Sequence, residues 1–206
     1  AKVKEIAKYN LTAAAQTGSS TTWVQDNHDV IRHVTRFGLP AVSNFTDWYK
    51  DNRLTADVDL ALGTARANAF SMMLLALPGS TYIYQGEELG LPEVLDIPAN
   101  DMQDPQFFRN PDVGMSRDGC RVPIPWTRTG SSYGFGSGGA HLPQPRWYGE
   151  YSVEAQTRDE SSTLELYRSA LATRAQLLTD ESITWKNHFF NQSLVHFIRA
   201  NGWHSI

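Results

Sequence analysis

Residues 23 to 38 read WVQDNHDVIRHVTRFG. Two apolar residues, Trp23 and Val24, run straight into Asp26, Asn27, His28 and Asp29, and Arg32, His33 and Arg36 follow. A second passage, STYIYQGEELG over 80 to 90, ends in the same abrupt way on Glu87 and Glu88. A carboxylate beside an imidazole, with guanidinium groups near, suits a neutral, hydroxyl-rich ligand. An Asp accepts from two vicinal hydroxyls, while His and Arg donate to their oxygens. Aromatic side chains further along would offer a sugar ring a face to stack on.

Each of these residues also has a plain structural reading. Asp26 and Asp29 could cap the next turn, and His28 could be a satisfied histidine near a strand end. Glu87 and Glu88 could form a solvated loop, and Arg117 and Arg121 could be salt-bridge partners. Trp126 and Trp147 could be core. A metal site built from Asp26, His28, Asp29 and His33 has no ligand spacing behind it, so no metal and no cofactor are expected.

The elements that must position these groups follow from the pattern. AKVKEIAKYNLTAAAQ over 1–16 carries a weak helical stripe of Val3, Ile6 and Ala7. TTWVQ (21–25) and STYIYQ (80–85) are short, rich in β-branched and aromatic residues, and read as buried strands. Between them, 57–77 reads as a long helix capped by Thr55 and ended by Pro78-Gly79. Residues 90–160 hold eight of the ten prolines and read as a long, aromatic-bearing loop packed over a site. SSTLELYRSALATRAQLL (161–178) is a helix with a Ser162–Glu165 capping box and a core face of Leu164, Tyr167, Leu171, Leu177 and Leu178. The tail, 193–206, reads as two strands around Asn201-Gly202. Buried strands alternating with helices mean α/β units with a parallel sheet, whose ligands sit at the carboxyl ends of strands.

Composition sets the outer bounds. With 206 residues, 41% of them hydrophobic, the chain is long enough to bury a core. A net charge of −4 gives no reason to expect nucleic acid or an anionic membrane as partner. No apolar run is long enough to span a membrane. Cys120 stands alone, so no intrachain disulfide is possible, and a cytoplasmic location is the expectation. The start has neither an initiator Met nor the apolar core of a signal peptide, and reads as an interior piece of a longer protein.

Three stretches resemble one known family. WVQDNHDVIRHVTRFG resembles the segment after the seventh barrel strand of the α-amylase superfamily, glycoside hydrolase family 13. LLALPGSTYIYQGEELGL (74–91) resembles the helix-to-eighth-strand passage of its α-glucosidase and oligo-1,6-glucosidase branch. SRDGCRVPIPW (116–126) resembles the RD-x-x-R-x-P-x-x-W loop of that branch, and the wording is most like actinobacterial α-glucosidases. The resemblance implies an α/β fold: the C-terminal part of a (β/α)8 TIM barrel, its seventh and eighth strands with their helices. Residues 1–178 would belong to the catalytic barrel, and 179–206 would begin a C-terminal all-β domain.

The resemblance also implies a retaining mechanism on α-glucosides with an Asp nucleophile, a Glu acid/base and a third Asp that holds the sugar 2-OH and 3-OH. That third carboxylate matches Asp29, a transition-state stabiliser, with His28 as its sugar-binding companion. Arg117 matches the Arg expected to reach the terminal glucose, Arg121 is the alternative, and Glu88 is the expected partner orienting that Arg. No stretch resembles the nucleophile or acid/base motifs. The expectation is therefore a fragment of an exo-α-glucosidase acting on malto- or isomalto-oligosaccharides, inactive alone. Its partners would be the α-glucoside and the missing N-terminal part of the same barrel. The alternatives are a non-catalytic amylase-like sugar-binding or subunit protein, and a transglucosidase or a trehalose- or sucrose-acting relative. Two strands with their helices would also leave open sheet edges and exposed apolar faces such as FSMMLLAL (70–77).

Overall fold

A computed structural model describes residues 2–40, 48, 58–110, 116–177, 182–188, 194–200 and 202–206. The chain divides into two units: residues 1–24, 69–82 and 168–206 in one, and 25–68 and 83–167 in the other.

The first unit begins with helix α1 (Lys2–Gln16), of whose expected stripe only Ala7 is buried. Strand β1 (Thr22–Val24) follows and pairs in parallel with β2 (Ser80–Tyr82), Trp23 opposite Thr81. The parallel pairing agrees with the sequence pattern, but both strands are shorter than expected. At β2 the cause is visible in the next residues. The Tyr84 N–H is taken by the Glu87 carboxylate at 3.1 Å, and Glu87 N–H returns to Tyr84 O, so the backbone turns instead of extending. Nor are the strands buried throughout. Trp23 is buried, while Val24 and Tyr82 are exposed, because each strand has one partner among the described residues.

Between the strands runs helix α3 (Leu60–Ala76), preceded by α2 (His33–Gly38). Its start lies three residues later than expected, since Asp59 caps it by accepting from Leu62 N–H at 2.9 Å. Thr55 and Asp57, on which the earlier start rested, lie outside the described residues. Two arginines satisfy the orphan carbonyls at the helix C-terminus. Arg174 donates to Leu75 O, Leu77 O and Gly79 O, and Arg199 donates to Ala76 O at 2.9 Å. Around them Trp23, Leu74, Leu77 and Phe197 form the unit's core.

The tail forms a three-stranded antiparallel sheet, β3 (Ile183–Lys186), β4 (His196–Arg199) and β5 (His204–Ser205). The β4–β5 hairpin matches the expected strand pair, with Gly202 at φ +78° as its turn residue. Asn201 lies outside the described residues. Strand β3 was not anticipated; ITWK is β-branched and aromatic enough, but too short for periodicity to reveal.

In the second unit, α2 meets the first turns of α3 at Gly63, where a Cβ would lie 2.2 Å from Val34 O. The loop expected over 90–160 is packed, as expected, across its described residues. It holds α4 (Pro105–Arg109), α5 (Val153–Gln156) and 3-10 turns at Ala99–Asp101, Asp118–Cys120, Ser131–Gly134 and Arg146–Tyr151. Leu89, Leu91, Val122, Leu142 and Tyr148 form its core with Leu164 of α6 (Thr163–Leu177). Buried Gln156 staples it, donating to Leu89 O and accepting from Leu164 N–H. The capping box of α6 is one-sided. Ser162 Oγ accepts from Glu165 N–H, but the Glu165 carboxylate accepts from Arg158 N–H. On that helix Leu164 and Tyr167 are buried and Leu171 is exposed, against expectation; Leu178 and the Leu177 side chain lie outside the described residues.

Candidate functional site

Three loops of the second unit converge on one set of charges: residues 25–32, which follow β1 in the chain, 83–93, which follow β2, and 116–121. Buried Arg32 ties them together. It donates through Nη1 to Gln85 O and through Nη2 to Cys120 O, both at 2.8 Å, and its backbone N–H bonds Glu93 Oε2 at 2.9 Å. Gly86, at φ +91°, must stay bare, because a Cβ there would lie 2.5 Å from Arg32 Nη1.

Beneath the first loop lies Asp26. Its Oδ2 accepts from the backbone N–H of His33, the first residue of α2, at 2.9 Å and meets His33 Nδ1 at 2.6 Å. Its Oδ1 takes Arg36 Nη2 at 2.5 Å. So Asp26 does cap the next turn, and more. Burial works to raise its pKa, but His33 and Arg36 outweigh burial and hold the carboxyl below its usual range. Asp26, His33 and Glu87 bring possible metal-ligand atoms within 4.8 Å of one another. Those atoms are already paired, and the Arg36 guanidinium supplies the positive charge beside Asp26.

Above this base the loop presents His28 and Asp29. Asn27 Oδ1 accepts from Asp29 N–H at 2.8 Å, an Asx turn that fixes the tip. The Asp29 side chain is half exposed, and its Oδ1 receives two guanidiniums, Arg117 Nη1 at 2.8 Å and Arg121 Nη2 at 3.1 Å. Arg121 Nε also donates to His28 O at 2.8 Å, and His28 Nε2 lies 3.5 Å from Asp29 Oδ2. The structure thus brings together four of the five residues singled out from the sequence: His28, Asp29, Arg117 and Arg121.

Glu88 is not with them. Its Oε2 accepts from Gly86 N–H at 2.8 Å, a local turn contact, and the expected pairing with Arg117 is absent among the described residues. The reason is that Arg117 already has an anchor, which the sequence reading missed. Asp104 accepts from Arg117 N–H and Nε at 2.8 Å and from Nη2 at 2.7 Å. The Arg117 hydrogen bonds hold the Asp104 carboxyl well below the usual carboxylate range. Asp104 is the N-cap of α4, and Asp118 fixes its backbone by accepting from Gln103 N–H and Asp104 N–H. A Asp-Pro pair opening a short helix was the one available signal, and it reads as an ordinary cap. Of the two tryptophans weighed as platforms or core, Trp147 packs against Tyr148 and Tyr151, while Trp126 is exposed.

Two buried carboxyls behind the loops carry a pH prediction. Burial pushes Glu87 up to about 7, with Asp26 adding to the effect, and burial also pushes Glu93 up to about 7. Each binds its proton more tightly folded than unfolded, from a reference of 4.5. Their stabilising contribution is therefore complete below pH about 4.5 and lost as pH rises through about 7. The melting temperature should fall between about pH 5.5 and about pH 8, and Glu87→Gln with Glu93→Gln should flatten that fall. An equal fall in the double variant, read by thermal denaturation, would assign it to other groups.

A family description, alpha amylase, catalytic domain, matches residues 1–181 of this chain. A probable α-glucosidase of Rhizobium meliloti (strain 1021) is 36% identical over 155 residues, covering 74% of this chain and 24% of that protein. The crystal structure of an α-glucosyl transfer enzyme superposes with a TM-score of 0.69 at 30% identity, covering 94% of this chain and 33% of that one. The trehalose-6-phosphate hydrolase of Bacillus licheniformis superposes with a TM-score of 0.70 at 23% identity, covering 96% and 35%, a likeness that speaks to fold alone. The chain spans about a quarter of the length of the curated relatives it matches.

Proposed function

Because the chain belongs to the α-amylase family, whose catalytic domain matches residues 1–181, we propose that it supplies the sugar-holding third carboxylate of an exo-acting α-glucosidase. One observation carries the reading. Asp29 is half exposed, yet it is held by two guanidiniums, one of them locked from behind by Asp104. A carboxylate so fixed, with no guanidinium on Oδ2 among the described residues, offers acceptors to two neighbouring hydroxyls. In a retaining reaction those hydrogen bonds strengthen as the ring gains oxocarbenium character. His28 and the two arginines would donate to the same sugar. The strands would be the seventh and eighth of the barrel, and residues 179–206 the start of a following β-domain.

On this reading the nucleophile and acid/base lie outside these 206 residues, and the chain alone does not turn over. Transfer of the glucosyl group to a second sugar is the second reading, favoured by the α-glucosyl transfer enzyme at 30% identity. The two share a covalent intermediate and differ in whether water or a sugar hydroxyl resolves it. The test is product analysis by the complete protein on maltose, isomaltose, sucrose and trehalose. Glucose released first as the α-anomer supports hydrolysis, and new disaccharides support transfer. No reaction with any α-glucoside would defeat both.

A further inference from the structure

Taking Asp29 as the third carboxylate, we propose that Asp26 is its positioning residue: with His33 and Arg36 it closes the neck of the loop that presents His28 and Asp29. Loop 27–32 leaves Asp26 and returns at His33, and one carboxylate fastens both ends. Asp26 Oδ2 accepts from the His33 backbone N–H at 2.9 Å and meets the His33 ring at Nδ1, 2.6 Å away. Arg36, one turn along α2, completes the neck. Its Nη2 donates to Asp26 Oδ1 at 2.5 Å and to Gln25 O at 2.8 Å, and its Nε donates to Ile31 O at 2.8 Å. On the entering side the Asp26 N–H is held in turn by Glu87 Oε1 at 3.1 Å.

The arginines at the tip do a different job. Arg117 and Arg121 bond the Asp29 side chain, and Arg121 also donates to His28 O. Those contacts set where the carboxylate points, while the neck sets where its backbone stands. Between neck and tip the turn is tight. Asn27 Oδ1 accepts from Asp29 N–H, and Asn27 O accepts from Val30 N–H. A shift at Asp26 is therefore handed on to Asp29 rather than absorbed. The chemistry of the neck suits this task. Apolar packing has no direction and would let the ends of the loop slide. A carboxylate bonded to a backbone N–H, an imidazole and a guanidinium fixes distances and angles together. The Asp26 and His33 side chains are almost wholly buried, where an ion pair stabilises little more than apolar groups of the same volume. What the pair adds is geometry.

The test is kcat of the complete protein on p-nitrophenyl α-glucoside for Asp26→Asn, Asp29→Asn and the two together, each with a thermal melt. In Asp26→Asn an amide donor faces either the His33 N–H or the Arg36 guanidinium, so the neck loosens. Its kcat should fall about 30-fold, short of the roughly 100-fold that a misplacement of about 1 Å can cost. In the Asp29→Asn background the same change should cost less than about twofold, because the group it positions is already disabled. Arg36→Lys leaves Asp26 charged and alters a side chain that is 30% exposed, so it decides the matter should Asp26→Asn fail to fold. It should cost about 10-fold alone and again little beside Asp29→Asn. An unchanged kcat in Asp29→Asn would defeat the third-carboxylate reading and this proposal with it. A full loss in Asp29→Asn with unchanged kcat in the folded neck variants, or equal losses in both backgrounds, would overturn the positioning role alone.

Discussion

Asp29→Asn in the complete protein should lower kcat by about a thousandfold, or about 4 kcal/mol of transition-state stabilisation, if Asp29 is the third carboxylate proposed above. An amide keeps the shape of the side chain but gives up its charge and one acceptor. It also turns a donor toward hydroxyls that need acceptors. The loss should fall on kcat, because a contact of the proposed kind strengthens as positive charge develops on the sugar. Stability should move little. Asp29 is half exposed, and its pairing with Arg117 and Arg121 is screened by water. The measurement is steady-state kinetics beside a thermal melt. A kcat within a few-fold of the unsubstituted enzyme would remove Asp29 from the chemistry, and a collapsed melt would make its role structural.

Asp104→Asn should come next in size, lowering kcat/KM by about a hundredfold although Asp104 itself lies behind Arg117. Its side chain is buried, and it holds the backbone, Nε and Nη2 of Arg117 at once. With an amide there, one donor faces another and the guanidinium is free to swing. Nη1 then no longer fixes Asp29 Oδ1. The cap of α4 survives in part, since an Asn oxygen can still accept from Gln106 N–H. The decisive form is a double-mutant cycle with Arg117→Ala. If Asp104 acts by positioning Arg117, the double variant is hardly worse than Arg117→Ala alone. Additive losses would show that Asp104 works by another route.

What could be read in the sequence was mostly local. Trp23-Val24 and Ser80-Thr81-Tyr82 are strand-forming by composition, and the helices that separate and follow them carry caps and breakers. The charged residues after each strand mark a site in any parallel α/β fold, and family wording then singled out His28, Asp29, Arg117 and Arg121. Their convergence could not be read, because Asp29 and Arg117 are separated by 88 positions. Asp104 was hidden for the same reason, and its local setting gave it a sufficient job as a cap. Glu88 shows the opposite error. The resemblance implied that Glu88 orients the arginine, but Glu88 closes its own turn at Gly86, while Glu87 turns inward to the Asp26 and Tyr84 amides. Ser162 and Glu165 show how a motif can hold in spacing and half fail in bonding.

The most direct test of the account is nitrophenol release from p-nitrophenyl α-glucoside, by the complete protein and by this 206-residue chain, with the chain's folding checked by circular dichroism. The account predicts turnover by the complete protein that depends on Asp29, and none by the folded chain. Turnover by the chain alone, abolished by Asp29→Asn, would contradict it. A nucleophile and an acid would then lie among the carboxyls described here as structural.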